Sequence, residues 1–199
     1  MTKTIGIYVF DEVEVLDFAG PFEVFSTAAR VASRVSNAPP PFSVTLVADR
    51  VREVRARGGL RVVPSAGFSD HPAFDVLLVP GGDVSAELER THVIAWIAEL
   101  AKRASLTASV CTGAFLLAKA GLLGGRRVTT HWEDAADLQR SFPELTVEKD
   151  VPWVDAGDVV TSAGISAGLD MSLHLVARLA SSELAERTAR QMDYVWRQR

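Results

Sequence analysis

Leu106-Thr-Ala-Ser-Val-Cys111-Thr-Gly-Ala-Phe-Leu-Leu-Ala-Lys-Ala-Gly121 is the stretch whose reading decides the fold. Leu106 to Val110 is a short apolar run that predicts a buried strand, and the residues from Cys111 to about Ala120 have helical spacing closed by Gly121. The thiol thus falls at a strand-to-helix turn, with Ser109 and Gly113 two residues to either side. Small neighbours at those places are what a nucleophile elbow needs, because strand and helix backbones approach closely there. A helix N-terminus also offers free N–H groups and partial positive charge, so the reading expects a thiol pKa below its usual value of about 8.5. The competing reading is a buried, inert cysteine acting as a small hydrophobe, and the Cys-x-Gly context favours the nucleophile.

Working outward, Thr4 to Phe10 and Phe42 to Ala48 read as strands, with a helix from Phe22 to Ser33 between them. Pro21 suits a first helical turn, where its missing N–H costs nothing, and Asn37-Ala-Pro-Pro-Pro41 must break regular structure before the next strand. Gly58-Gly59 suggests a hairpin between Val51–Arg55 and Leu60–Val63. Phe74 to Pro80 is another buried strand, followed by a loop at Asp83 to Glu89 and a helix from His92 to Lys102. A helix from about Glu133 to Ser141, a hairpin at Ala156-Gly157 joining Trp153–Asp155 to Val159–Ser162, and helices from about Ile165 and from Ser182 complete the chain. Alternating strands and helices predict an α/β fold, a mostly parallel sheet covered on both faces, with ligands bound at the carboxyl ends of the strands.

The chain has 199 residues, of which 48% are hydrophobic, which suits one domain spanning 1–199 with an ordinary core. The net charge of −4, from 21 basic and 25 acidic residues without basic clusters, argues against nucleic acid or anionic membrane as partner. A lone cysteine excludes an internal disulfide, and with no signal-like N-terminus the expected location is the cytoplasm. The apolar runs Val76–Pro80 and Ala114–Ala118 are too short to span a membrane. His71, His92 and His174 show no ligand spacing with one another, with His131 or with Cys111, so neither metal nor cofactor is expected.

Three further features lie at predicted strand ends. Pro80-Gly81-Gly82 leaves backbone N–H groups of Gly81 and Gly82 able to face a ligand and, with Thr112 N–H, to form an oxyanion hole; taken alone, such a tripeptide is more often just a turn. Asp17, between Leu16 and Phe18, is either a desolvated acid of raised pKa able to move protons or a capping or solvated loop acid, as assumed for Asp11, Glu12 and Glu14. His131 is a general-base candidate, but it can equally serve strand-end hydrogen bonding or a subunit interface.

Five motifs, in order, resemble the ThiJ/PfpI superfamily: Leu16-Asp17-Phe-Ala-Gly-Pro21, Val79-Pro-Gly-Gly82, Ser109-Val-Cys-Thr-Gly113, Thr129-Thr-His-Trp132 and Ser162-Ala-Gly-Ile-Ser-Ala-Gly-Leu-Asp170. The resemblance covers nearly the whole chain. It implies a flavodoxin-like three-layer sandwich of the class I amidotransferase type and, by analogy, a homodimer. Within the superfamily the motifs are most similar to those of isonitrile (isocyanide) hydratases. That implies a hydro-lyase in which the Cys111 thiolate attacks the isonitrile carbon, giving a thioimidate that water converts to an N-substituted formamide. Asp17 would handle protons, Thr112 would contribute at the site, and Ile165 would pack near the nucleophile as well as in the core.

Departures narrow the choice. Peptidase-like and glyoxalase-like relatives carry His directly after the cysteine, where this chain has Thr112; glutamine amidotransferases need His-x-Glu, where His174 is followed by Leu175 and Val176. The segments Ser109–Trp132 and Val151–Leu175 also resemble the sensing domain of AraC-type regulators, leaving a non-catalytic ligand-binding role open. Only Ala185 to Arg199 follow the last core-like helix, too little for an appended helix-turn-helix domain. The Glu183/Arg187 and Glu186/Arg190 pairs in this last stretch of the chain describe a solvated face, and Met192, Tyr194 and Trp196 are expected to pack on the core. A cysteine redox sensor, with an accessible low-pKa Cys111, is the third reading.

Overall fold

The computed structural model describes residues 1–35 and 38–198; Asn37, read above as part of the break before the second strand, lies outside them. In chain order the elements are β1 (Lys3–Tyr8), α1 (Val15–Ser33), β2 (Phe42–Ala48), β3 (Val54–Arg55), β4 (Arg61–Val62), β5 (Ala66–Gly67) and β6 (Val76–Val79). There follow α2 (Ser85–Glu89), α3 (Thr91–Ala101), β7 (Leu106–Val110), α4 (Gly113–Lys119), β8 (Arg127–Val128) and α5 (Ala135–Ser141). The chain continues through β9 (Thr146–Val147), β10 (Trp153–Asp155), β11 (Val159–Ser162), α6 (Ala167–Leu179) and α7 (Ser182–Gln191).

Seven strands form one sheet in the order β10-β11-β7-β6-β1-β2-β5. All neighbours are parallel except the β10–β11 hairpin at the edge. Helices α1, α6 and α7 pack together on one face, and α2, α3 and α4 on the other, giving the flavodoxin-like three-layer sandwich. A parallel sheet buried on both faces needs continuous apolar strands. Every residue of β6 and β7 is accordingly buried, each large apolar side chain contributing roughly 1.5–3 kcal/mol relative to exposure. The chain order reverses at β1, whose neighbours β2 and β6 lead in opposite directions, so the carboxyl ends of β1, β6 and β7 open onto the crevice where such sheets bind ligands.

Several elements differ from the sequence reading. Helix α1 begins at Val15, so Pro21 is inside it rather than in its first turn. The ring withholds the N–H that would bond Asp17 C=O, but buried Phe18, Val24, Phe25 and Ala28 hold the helix on the sheet. Asp17 is therefore a first-turn helical residue, not a loop residue. The presumed loop Asp83–Glu89 contains α2, anchored by a buried hydrogen bond from the Tyr8 hydroxyl to the Glu87 carboxylate and an ion pair from Arg90 to Glu87. These partners are distant in sequence or follow the segment. The short pair β8–β9 and the edge strand β5 also escape a periodicity reading, at two residues each. The predicted hairpins exist as β3–β4 and β10–β11. Met192, Tyr194 and Trp196 pack on the core, and Trp196 Nε1 donates to Asp170 O at 3.2 Å.

Gly113 opens α4 directly over the end of β6: a Cβ there would lie 2.2 Å from Val79 O. Because the obstacle is backbone, the contact cannot be relieved by a rotamer change. Gly113→Ala is expected to destabilise the protein by at least about 2 kcal/mol, whereas Gly124→Ala, with open space around it, should fall within about 0.5 kcal/mol of the parent. Urea unfolding midpoints of the two variants check this.

Candidate active site

The loops at the carboxyl ends of β1 and β6 are laced together by backbone, and the Thr112 hydroxyl ties the turn after β7 to Gly82. Val13 and Gly82 form an antiparallel bridge, Glu14 N donates to Gly81 O at 2.9 Å, and Asp83 N donates to Glu12 O at 3.1 Å. Gly82 takes φ 130° in this bridge, and a Cβ on it would sit 2.3 Å from Glu12 O, so no larger residue fits.

Cys111 follows β7 with φ 56°, a left-handed conformation that costs a non-glycine residue roughly 1–3 kcal/mol and persists only when its surroundings enforce it. The enforcement is visible. Cys111 N donates to Ser162 O at 3.1 Å and the Thr130 hydroxyl donates to Cys111 O at 2.8 Å. The thiol is 7% exposed and sits at the floor of a cleft of about 600 Å³.

Asp17 is fully buried beside it. One carboxyl oxygen, Oδ2, accepts from Gly81 N–H at 3.0 Å, while Oδ1 is buried without a hydrogen-bond partner. Burial pushes its pKa up to about 7, against the pull of the Gly81 N–H. The desolvated-acid reading of Asp17 thus matches its surroundings, and the capping reading does not.

The thiol does not behave as the helix N-terminus argument expects. Burial, and next the neighbouring Asp17 charge, push Cys111 up to about 12, outweighing the Thr112 N–H and hydroxyl that pull it down. The expectation fails for two reasons that a helix N-terminus read in sequence does not show: the thiol is desolvated, and a carboxylate stands beside it. Between these two values the pair holds a single proton, carried on sulfur in the resting site, and neither titration belongs to one residue alone.

Gly81 N–H is occupied by Asp17, and Gly82 N–H donates to Thr112 Oγ1 at 2.9 Å while that hydroxyl donates to Gly82 O at 2.9 Å. Both amides expected to face a substrate oxyanion are engaged inside the protein. Thr112 N–H is directed at Cys111.

His131 and Ile165 line the same cleft as Cys111 and Thr112. The His131 ring packs so tightly against Gly164 that a Cβ there would overlap Cδ2. Its Nδ1 accepts from Glu133 N at 3.4 Å and lies 3.4 Å from Asp134 Oδ2. Ile165 precedes α6 with φ 39° and is partly exposed into the cleft. His174 is elsewhere, stacked on Trp153 and bonded to Asp155. Among the described residues no three His, Cys, Asp or Glu side chains are grouped to hold a metal ion, and no helix is long and apolar enough to cross a membrane. The sequence reading missed the other polar lining, from Glu14, Arg57, Asp83, Glu133, Asp134 and Asp137. These come from separate loops and from α5; the Asp83–Glu89 loop, expected to supply part of the pocket wall, and the proximity of Glu133 and Asp134 to His131 were the pointers to them.

Comparison with known proteins agrees with this fold. The chain is 34% identical over 98% of its length to an isonitrile hydratase of Pseudomonas putida, spanning 79% of that protein. It is 33% identical over 92% of its length to the HTH-type transcriptional regulator GbdR of Pseudomonas aeruginosa, of which it spans only about half, 48%. A crystal structure of a ThiJ/PfpI family protein from Pseudomonas syringae superposes with a TM-score of 0.85 at 29% identity, covering 98% of this chain and 76% of that one. The model of the DJ-1/PfpI family matches residues 3–178, and the chain belongs to that family.

Proposed function

We propose that the protein is a cysteine-dependent hydratase converting a small isonitrile to an N-substituted formamide. The observation that carries this reading is the strained Cys111 at the floor of a cleft, with the unpartnered Oδ1 of buried Asp17 beside it. The similarity to an isonitrile hydratase over 98% of the chain supports it.

The residues fit the chemistry as follows. Asp17 takes the thiol proton on Oδ1, its other oxygen held by Gly81 N–H. It delivers that proton to the terminal isonitrile carbon as sulfur bonds to the same carbon, leaving R–N=CH–S–Cys111. Water then adds to this carbon while nitrogen gains a proton. The C–S bond breaks, the formamide R–NH–CHO leaves, and Asp17 returns the remaining proton to sulfur. Thr112 N–H, directed at Cys111, stabilises negative charge on sulfur as it forms and leaves. His131 orients the substrate from the cleft wall, and Ile165 shields the reacting carbon. With their N–H groups engaged, Gly81 and Gly82 position Asp17 and Thr112 rather than bind the substrate.

The similarity to a regulator supports a second reading, a ligand-binding domain without turnover. A redox sensor fits less well, because it needs an exposed thiol of low pKa, and Cys111 is buried with a raised one.

Ultraviolet absorbance with an aryl isonitrile tests the reaction. Cys111→Ala should abolish formamide release while the circular dichroism spectrum is kept, and Asp17→Asn should lower turnover by about 100-fold or more. Full activity in Cys111→Ala would remove the mechanism, and no turnover by the parent across alkyl and aryl isonitriles would favour the ligand-binding reading.

The pH dependence has a definite sign. Asp17 accepts a proton only as carboxylate, so kcat/KM should rise with pH through about 7, and the residual rate of Asp17→Asn should lack that limb.

Stability should move oppositely. The folded protein keeps a proton on Asp17 between pH 3.8, its ordinary value, and about 7, where the unfolded chain does not. Stability therefore falls as pH rises through this window, on the order of 4 kcal/mol in all. Asp17→Asn removes that loss, so its melting temperature should exceed the parent's at pH 8 by a margin that shrinks towards pH 4. An equal margin at both would contradict the burial argument.

A further inference from the structure

The mouth of the cleft carries a one-sided charge. Glu14, Asp83, Glu133, Asp134 and Asp137 line it against a single guanidinium, Arg57, and Arg57 Nη1 lies 3.5 Å from Glu14 Oε2. The only guanidinium or ammonium in the lining among the described residues is thus turned toward one of the five carboxylates. Asp137 is also paired, with Arg140, which is not in the lining. Asp83 accepts from Ser85 N at 3.0 Å and keeps its full charge. Glu133 and Asp134 have only the His131 ring opposite them, with Nδ1 3.8 and 3.4 Å away.

These acids do not define a site by themselves. The site is the cleft with Cys111 at its floor, and the carboxylates determine the charge it admits. A concave wall of one sign focuses field lines and raises the local concentration of opposite charge, changing encounter rates by about 10-fold to 1,000-fold. A protein acting on a neutral molecule gains nothing from such a wall. An anionic substrate would be repelled by it, and the negative charge also opposes the thiolate, Asp134 being among the groups that raise the Cys111 pKa.

We propose that the cleft selects small molecules bearing a positively charged group, such as an ammonium, beside the end that meets Cys111, with Glu133 and Asp134 as the residues that read that charge. This rests on Cys111 as the reacting atom and specifies the substrate class of the site.

Charged methanethiosulfonates test it without requiring turnover. Each transfers its thioalkyl group to Cys111, forming a disulfide and releasing methanesulfinate. The rate constant for the trimethylammonioethyl reagent is divided by that for the sulfonatoethyl reagent, and this ratio is compared with the same ratio for free mercaptoethanol. In this protein Cys111 is the only thiol, so intact mass reads the reaction directly.

The protein's ratio should exceed that of the free thiol by about 10-fold or more at low salt and fall several-fold by about 0.5 M salt. Glu133→Gln/Asp134→Asn should lower it by at least about three-fold. The two side chains are 64% and 37% exposed, so neutral amides there leave the fold intact. A ratio equal to that of the free thiol overturns the proposal, as does a high ratio that neither salt nor the double variant reduces. Formamide release from a neutral isonitrile and from an isonitrile bearing an ammonium group, both measured on the same preparations, separates the two claims. Turnover without charge preference rejects this inference alone, and charge preference without turnover rejects the hydratase reading alone.

Discussion

The site depends on one backbone constraint, the left-handed turn at Cys111. A residue with φ 56° does not stay there unaided. It is clamped on its N–H by Ser162 O of β11 and on its carbonyl by the Thr130 hydroxyl, and α4 leaves the turn over Val79 only because Gly113 lacks a side chain. The parallel order of β6, β7 and β11 places Val79 and Ser162 on either side of the turn, and the bond from Thr129 N–H to Thr161 Oγ1 of β11, 2.8 Å, brings Thr130 beside it. The sheet that builds the core is therefore also what holds the thiol at the cleft floor.

The same burial that fixes the pair sets its protonation. Removing water raises both the Asp17 carboxyl and the Cys111 thiol; the Asp17 charge pushes the thiol up further, whereas the Cys111 side chain draws the carboxyl down. The outcome is a site storing one proton between two atoms of unequal affinity. That proton can move to substrate without passing through solvent, which suits an addition in which carbon gains both a hydrogen and a sulfur. The cost is stability, since a buried acid that ionises near neutrality weakens the fold.

The fold was readable because its strands are short, continuous apolar runs ended by turn residues. Gly81 and Cys111 were readable because they follow such runs, whereas Asp17, His131 and Ile165 were picked out by the motifs that carry the family resemblance. What was misread required three-dimensional information. Pro21 carries a start signal that packing of Phe18 and Val24 overrides, and α2 is held by Tyr8, whose hydroxyl reaches Glu87 across 79 positions. The thiol pKa was misjudged because a helix N-terminus is visible in sequence while desolvation and a facing carboxylate are not. The acidic wall was illegible for the same reason: its members come from the β1–α1, β6–α2 and β8–α5 connections and from α5, and only the folded sheet brings them together.

The most direct test of the central claim, that Cys111 bonds covalently to the isonitrile carbon, is intact-protein mass spectrometry of samples quenched in acid during turnover. The account predicts a species heavier than the protein by the whole mass of the isonitrile, with nothing lost, mapping by peptide fragmentation to Cys111. Formamide accumulating with no such adduct at any quench time, or with an adduct on another residue, would contradict it.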